Sequence, residues 1–227
     1  MKLRQFSSLD EAATALAAQV AGALSAALAA RAQATLAVPG GRTPVPLFHA
    51  LRCVELDWAR VLVTLTDERW VPETHPGSNA AMVRRELLSG RASDAGFVPL
   101  FNGAVDAVHG AASASRTLAA LLPFDVVVLG MGADGHFASL FAGAAGVEAA
   151  LAADGLPGCV AVQAPVEPRE RLSLNLAALA TGATLSLLVN GADKLAVLGR
   201  ARDGSDPSLP VAALLRLQPP PEVFWAP

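Results

Sequence analysis

Of the four histidines in the sequence, one sits in a setting that suits chemistry. His136 lies in Gly130-Met131-Gly132-Ala133-Asp134-Gly135-His136, directly after the apolar, β-branched run Asp125–Leu129. That run has the pattern of a strand buried on both faces. Glycines bring a backbone close to a ligand, and ligands of open α/β sheets bind where strands end in such loops. A free imidazole titrates near roughly pH 6.5, which suits a general base at neutral pH. Asp134 stands two residues away, in reach of the ring or of a water. His49 and His109 fall on predicted helices, and His75 lies in a loop beside Pro76. No second His or Cys is spaced to share a metal with His136, so zinc hydrolysis is not expected. The sequence has no Gly-x-Ser-x-Gly elbow and no Gly-x-x-x-x-Gly-Lys-[Ser/Thr] loop.

Gly130-x-Gly132-x-x-Gly135 also spells a dinucleotide fingerprint. A dinucleotide site wants an acid about 20 residues on, at the end of the next strand. Asp154 has that spacing but lies in the turn Ala153–Gly158, and the unit sits in mid-chain. A nicotinamide site is therefore not adopted.

The basic residues complete the picture. Pro39-Gly40-Gly41-Arg42-Thr43-Pro44 follows a predicted strand and precedes a predicted helix. Free N–H groups, the helix dipole, the Arg42 fork and the Thr43 hydroxyl make this a phosphate loop; a tight turn with a solvent-facing arginine is the alternative. Thr66-Asp67-Glu68-Arg69-Trp70-Val71-Pro72 packs acids and an arginine at another strand end, where a salt-bridged loop remains open. Only Lys2 and Lys194 are lysines among 17 basic residues. Lys194 follows Gly191 at a helix start, where a cation opposes the dipole and an ammonium can meet a phosphate as a point charge. A base with no protein nucleophile, set among basic strand ends, fits water attacking an activated, phosphorylated substrate.

The elements that must position these residues alternate. Ala12–Ala30 reads as a helix with Leu16, Val20, Leu24 and Leu28 in one stripe, opened by the capping box Ser8-x-x-Glu11. The box and the acids at its start argue against a signal peptide or a membrane span. Strands are predicted at Ala34–Val38, Val61–Thr66, Phe97–Phe101, Asp125–Leu129, Cys159–Gln163, Thr184–Val189 and Glu222–Trp225. Helices are predicted from Val45, from Ser78 to about Leu88, over Ala104–Leu122, after Asn190–Lys194 to about Arg200 and over Pro210–Leu217. Phe137–Phe141 reads as one or two helical turns, and Arg171–Asn175 as either a strand or a helix. The fold class is α/β, an open and mainly parallel sheet with helices on both faces, in one domain over residues 1–227. A net charge of −3 excludes a global field for nucleic acid or anionic membrane. Cys53 and Cys159 make neither a disulfide framework nor a metal spacing, as in a reducing cytoplasm. Mean hydropathy is +0.44, much of it alanine.

Four blocks in order carry a resemblance: Gly40-Gly41-Arg42-Thr43-Pro44; Thr66–Pro72; Gly130-x-Gly132-x-Asp134-Gly135-His136-x-Ala138-Ser139-Leu140-Phe141; and Arg171-Leu-Ser-Leu with Gly191-x-x-Lys194. Together they resemble the 6-phosphogluconolactonases, from about residue 5 to the C-terminus. The resemblance implies a sandwich similar to ribose-phosphate isomerase and glucosamine-6-phosphate deaminase. It also implies metal-independent hydrolysis of 6-phospho-D-glucono-1,5-lactone, a step of the oxidative pentose phosphate pathway. It makes His136 the base and sets Arg69 near the substrate. Gly40, Gly41, Arg42, Thr43, Gly132, Gly135, Arg171 and Lys194 are then candidates for binding, and Asp67 and Asp134 for orienting water or imidazole. The oxyanion falls to N–H groups of the Gly130–Gly135 loop or to Arg69. The implied partner is a small phosphosugar lactone, and the implied protein a cytoplasmic monomer or small homo-oligomer. Three positions depart from the pattern: Pro39 where Ser is usual, Ala142 where Pro is usual, and Ser173 where Thr is usual. A deaminating sugar-phosphate isomerase is the nearest rival, but its histidine block runs toward Asn-Glu-Pro. A non-catalytic sugar-phosphate sensor is the rival of another class.

Overall fold

A computed structural model describes residues 1–227. In chain order the elements are β1 (Lys2–Gln5), α1 (Leu9–Ala30), β2 (Ala34–Val38), α2 (Val45–Leu51), β3 (Val61–Leu65), β4 (Asp67–Arg69), α3 (Asn79–Glu86) and β5 (Gly96–Val98). There follow α4 (Ala107–Leu118), β6 (Val126–Gly130), α5 (Val147–Ala150), β7 (Cys159–Gln163), β8 (Glu170–Leu174), α6 (Leu176–Leu179), β9 (Thr184–Asn190), α7 (Ala192–Asp203), α8 (Pro210–Leu215) and β10 (Glu222–Ala226).

Seven strands form one parallel sheet in the order β1-β10-β9-β6-β2-β3-β5. Val126, Val127, Val128 and Leu129 of the central β6 are wholly buried, as a parallel strand covered on both faces requires. From β2 the chain steps outward through β3 to β5. It then returns across β2 to β6 and steps the other way through β9 to β10. Right-handed crossovers taken in opposite directions put their helices on opposite faces. The connections carrying α1, α2 and α3 therefore cover one face, and those carrying α4 and α7 the other. The expected α/β class, with helices on both faces, is what the structure has.

The sheet reverses between β2 and β6. These two strands pair only at Leu36↔Val126 and Ala37↔Val127, whereas β2 with β3 and β6 with β9 pair over five positions each. The ladder therefore opens toward the carboxyl ends of β2 and β6, the crevice where ligands of open α/β sheets bind. Each lip carries one of the glycine loops.

Local signals explain most boundaries. Ser8 accepts from the Glu11 N–H and caps α1, while the Glu11 carboxylate turns to Ser7 rather than to Ser8. Although α1 is long and apolar enough to cross a membrane, its Leu16, Val20, Leu24 and Leu28 are buried. Ser78 and Asp106 cap α3 and α4. Two expectations are corrected. Asp67–Arg69, read as loop, is a strand in a second, antiparallel sheet ordered β4-β8-β7. Phe137–Phe141 is not helical: isolated bridges link Met131 to Phe137 and Phe137 to Leu140, and Ala138 takes φ +47°.

Candidate active site

β2 ends in the Gly40–Thr43 loop. Gly41 takes φ +89°, a conformation that side chains resist. Gly40 has no room for a Cβ, which would lie 2.1 Å from the Asn79 side-chain oxygen. The N–H groups of Gly40, Gly41, Arg42 and Thr43 make no backbone hydrogen bond. Four successive N–H groups are therefore free to donate to an anion. The helix after them adds less than its position suggests, because α2 has seven residues and Pro44 and Pro46 remove donors at its start.

β6 ends in the second loop, which sets the imidazole. Gly132 N–H donates to the His136 carbonyl (2.9 Å), and Gly135 N–H to the Gly132 carbonyl (3.1 Å). The loop's own bonds therefore occupy two of the N–H groups considered for an oxyanion. A Cβ on Gly132 would fall 2.2 Å from the His136 ring, so only glycine admits the ring there. Phe141 packs against the ring with centroids 4.3 Å apart. His136 Nδ1 lies 2.5 Å from Asp134 Oδ1. A carboxylate only accepts, so Nδ1 carries a proton, and in the neutral ring the lone pair sits on Nε2. Burial would raise the Asp134 carboxyl, but the hydrogen bond and charge of His136 outweigh it and hold the group below the usual aspartate range.

The small sheet supplies the third wall. β4 and β8 run antiparallel with Arg69 opposite Arg171. Like charges set opposite each other on a sheet are unfavourable unless something anionic joins them. Neither guanidinium meets a carboxylate. Arg69 donates to the Gly77 carbonyl (2.5 Å), and its buried Nε has no partner. Arg171, 5% exposed, donates to the Pro168 carbonyl (2.6 Å). Burial first, and then the charge of Arg69, lower the Arg171 pKa. Beside Arg69, Asp67 accepts from Ser139 Oγ (2.6 Å), and Ser139 N–H donates to Ser173 Oγ (3.1 Å). These bonds tie the His136 loop to the small sheet.

Glu68 points away from the crevice. It is wholly buried and accepts from the N–H groups of Arg69, Asn79 and Ala80 and from the Ser78 hydroxyl. Burial pushes its carboxyl above the usual range, against the pull of those four donors. It anchors the start of α3 to β4.

A cavity of about 210 Å³ lies between the three walls. Gly40, Gly41, Arg42, Thr43, Asp67, Arg69, Gly132, His136, Arg171 and Lys194 line it. Two named candidates do not: Asp134 stands behind the imidazole, and Gly135, at φ +77°, packs against Leu209 and Val197. Asn79, Met131 and Ala138 line the cavity without having been singled out. Asn79 follows the cap Ser78 at a helix start, so only its packing against Gly40 reveals it. Arg42, Arg69, Arg171 and Lys194 form no ion pair with any carboxylate. Four cations without an ion pair, one carboxylate and one imidazole face one cavity, an arrangement with the chemistry to hold an anion beside a proton acceptor. No group of three metal-ligating side chains is present.

Known proteins share this frame. The model of the family described as glucosamine-6-phosphate isomerases/6-phosphogluconolactonase matches residues 7–225. A 6-phosphogluconolactonase of Pseudomonas aeruginosa is 45% identical over 99% of this chain and 94% of its own. The crystal structure of a 6-phosphogluconolactonase from Shewanella baltica superposes with a TM-score of 0.94 at 38% identity, covering 100% of this chain and 98% of that one. A monomeric glucosamine-6-phosphate deaminase superposes at 0.82 over 100% and 97% of the two chains, but at 16% identity it shares the fold alone. With the match running almost from end to end, the chain belongs to the family of glucosamine-6-phosphate isomerases and 6-phosphogluconolactonases.

Proposed function

We propose that this chain, acting as a single domain over residues 1–227, hydrolyses 6-phospho-D-glucono-1,5-lactone to 6-phospho-D-gluconate. The observation that carries the reading is the meeting of four unpaired cations and a free-donor loop with an imidazole whose Nε2 is free. The relatives at 39–45% identity are named 6-phosphogluconolactonases. The phosphate docks on the N–H groups of Gly40–Thr43, with Arg42, Arg171 and Lys194 around it. Because the phosphate is remote from the reacting carbon, its binding energy orients the ester. Neutral His136 takes a proton from water through Nε2 as the water attacks C1, and Asp134 holds the ring. The Arg69 guanidinium, on the cavity wall, meets the developing oxyanion. The imidazolium then protonates the departing ring oxygen as the C1–O bond breaks, and the C1 carboxylic acid so formed gives its proton to solvent and becomes the carboxylate. Neither metal nor cofactor enters any step. The reading includes a cytoplasmic setting and a monomer or small homo-oligomer.

The test is turnover of lactone generated in place from glucose 6-phosphate, with spontaneous hydrolysis subtracted. Wild type should accelerate it. His136→Ala should lower kcat by about a hundred-fold or more and leave KM nearly unchanged. An unchanged kcat would remove His136 from the role of base, and no acceleration by wild type would overturn the function.

A further inference from the structure

Asn79 is a buried polar residue that neither the phosphate loop nor the proton path accounts for. It is 3% exposed and lies on the cavity wall. Its backbone N–H is taken by Glu68 Oε1 (2.8 Å), and its side-chain nitrogen donates to the Asp67 carbonyl (2.9 Å). A carbonyl accepts only, so this bond fixes which end of the amide is nitrogen. The side-chain oxygen is thereby turned the other way, and it receives no hydrogen bond from the protein. It is not sealed off like Arg69 Nε, which is wholly buried and orphaned, so its open side is the cavity. The amide lies against the Gly40 backbone, so close that any Cβ there would collide with it. Asn79 therefore bridges the strand that carries Asp67 and Arg69 and the loop that receives the phosphate.

An amide oxygen whose open side is the cavity takes its donor from whatever fills the cavity, and a ligand hydroxyl can supply one. Cations and free N–H groups dominate this cavity, and they bind anions. Asn79 Oδ1 is a neutral acceptor among them, suited to a ligand hydroxyl. We propose that Asn79 determines specificity by accepting a hydrogen bond from one hydroxyl of the sugar, reading its presence and configuration while the cations read the phosphate. This rests on the lactonase reading above.

The experiment crosses enzyme variants with substrate variants. Wild type and Asn79→Ala would be assayed for kcat/KM on the parent lactone and on 2-, 3- and 4-deoxy 6-phospholactones made as racemates or by oxidation. For wild type, one deoxy lactone should lose about ten-fold relative to the parent. In Asn79→Ala that selective loss should vanish, because the acceptor is gone. A merely structural role would lower all the lactones alike. Equal ratios across the panel in both proteins would overturn the proposal. Asn79→Leu, which keeps the volume but has no acceptor, replaces Asn79→Ala if melting shows that variant unfolded. If wild type turns over none of the lactones, the functional reading fails instead. Calorimetry with 6-phosphogluconate and its deoxy forms then decides the inference by the same ratio test.

Discussion

The imidazole acts through what is bound behind it. Asp134 fixes the Nδ1 proton, so Asp134→Asn should keep the fold but offer the ring a partner that can also donate. We expect kcat to fall by about ten- to a hundred-fold with KM little changed, measured in the coupled lactone assay. The pair also has a pH signature. The Asp134 carboxyl titrates below its ordinary value in the folded chain. Its contribution to stability is therefore present above the ordinary aspartate range, roughly pH 3.9, and is lost as pH falls through the folded value. Melting curves should show a gap between wild type and Asp134→Asn at about pH 6 that narrows by about pH 3. Asp134 is more than half exposed, so the gap should be small.

At the scale of elements, the site depends on a junction between β4 and α3. The Glu68 carboxylate accepts four hydrogen bonds there, three from backbone N–H groups. Glu68→Gln keeps the shape but turns an NH₂ toward donors. It should cost about 2–4 kcal/mol in urea unfolding, with activity falling because Arg69 and Asn79 flank the junction. This junction also marks what was legible in the sequence. The strands ending at Val38 and Gly130 were readable because their β-branched runs stop at glycines, and the crevice followed from those loops. β4 was not readable, since three charged residues carry no hydrophobic period and pair only with β8, about a hundred residues away. Phe137–Phe141 misled because Phe137, Leu140 and Phe141 fall at helical spacing. The Ser139 bonds to Asp67 and Ser173 hold that segment in a bridged turn instead. The imidazole and the cations that line the cavity were visible as residue types at strand ends. Asn79 was not, because its role depends on a contact with Gly40 that no local pattern encodes.

Over the whole molecule, charge and site have opposite signs. The chain carries a net charge of −3, yet its cavity is ringed by four unpaired cations. The attraction for a phosphorylated substrate is therefore local and partly open to solvent. Raising ionic strength from about 0.05 to 0.5 M should increase KM several-fold while leaving kcat nearly constant. Inorganic phosphate should compete for the same donors. The sheet that brings these charges together has another property in its edge. β1 pairs with β10 and with no other strand. During synthesis β1 leaves the ribosome long before β10 and must wait, with its hydrogen-bonding groups exposed, until β10 has been made. The sheet can grow outward from its middle well before then. Closure of that edge is thus a late event in folding, and a chain stalled short of Glu222 would leave both β1 and the flank of β9 free to pair with other nascent chains.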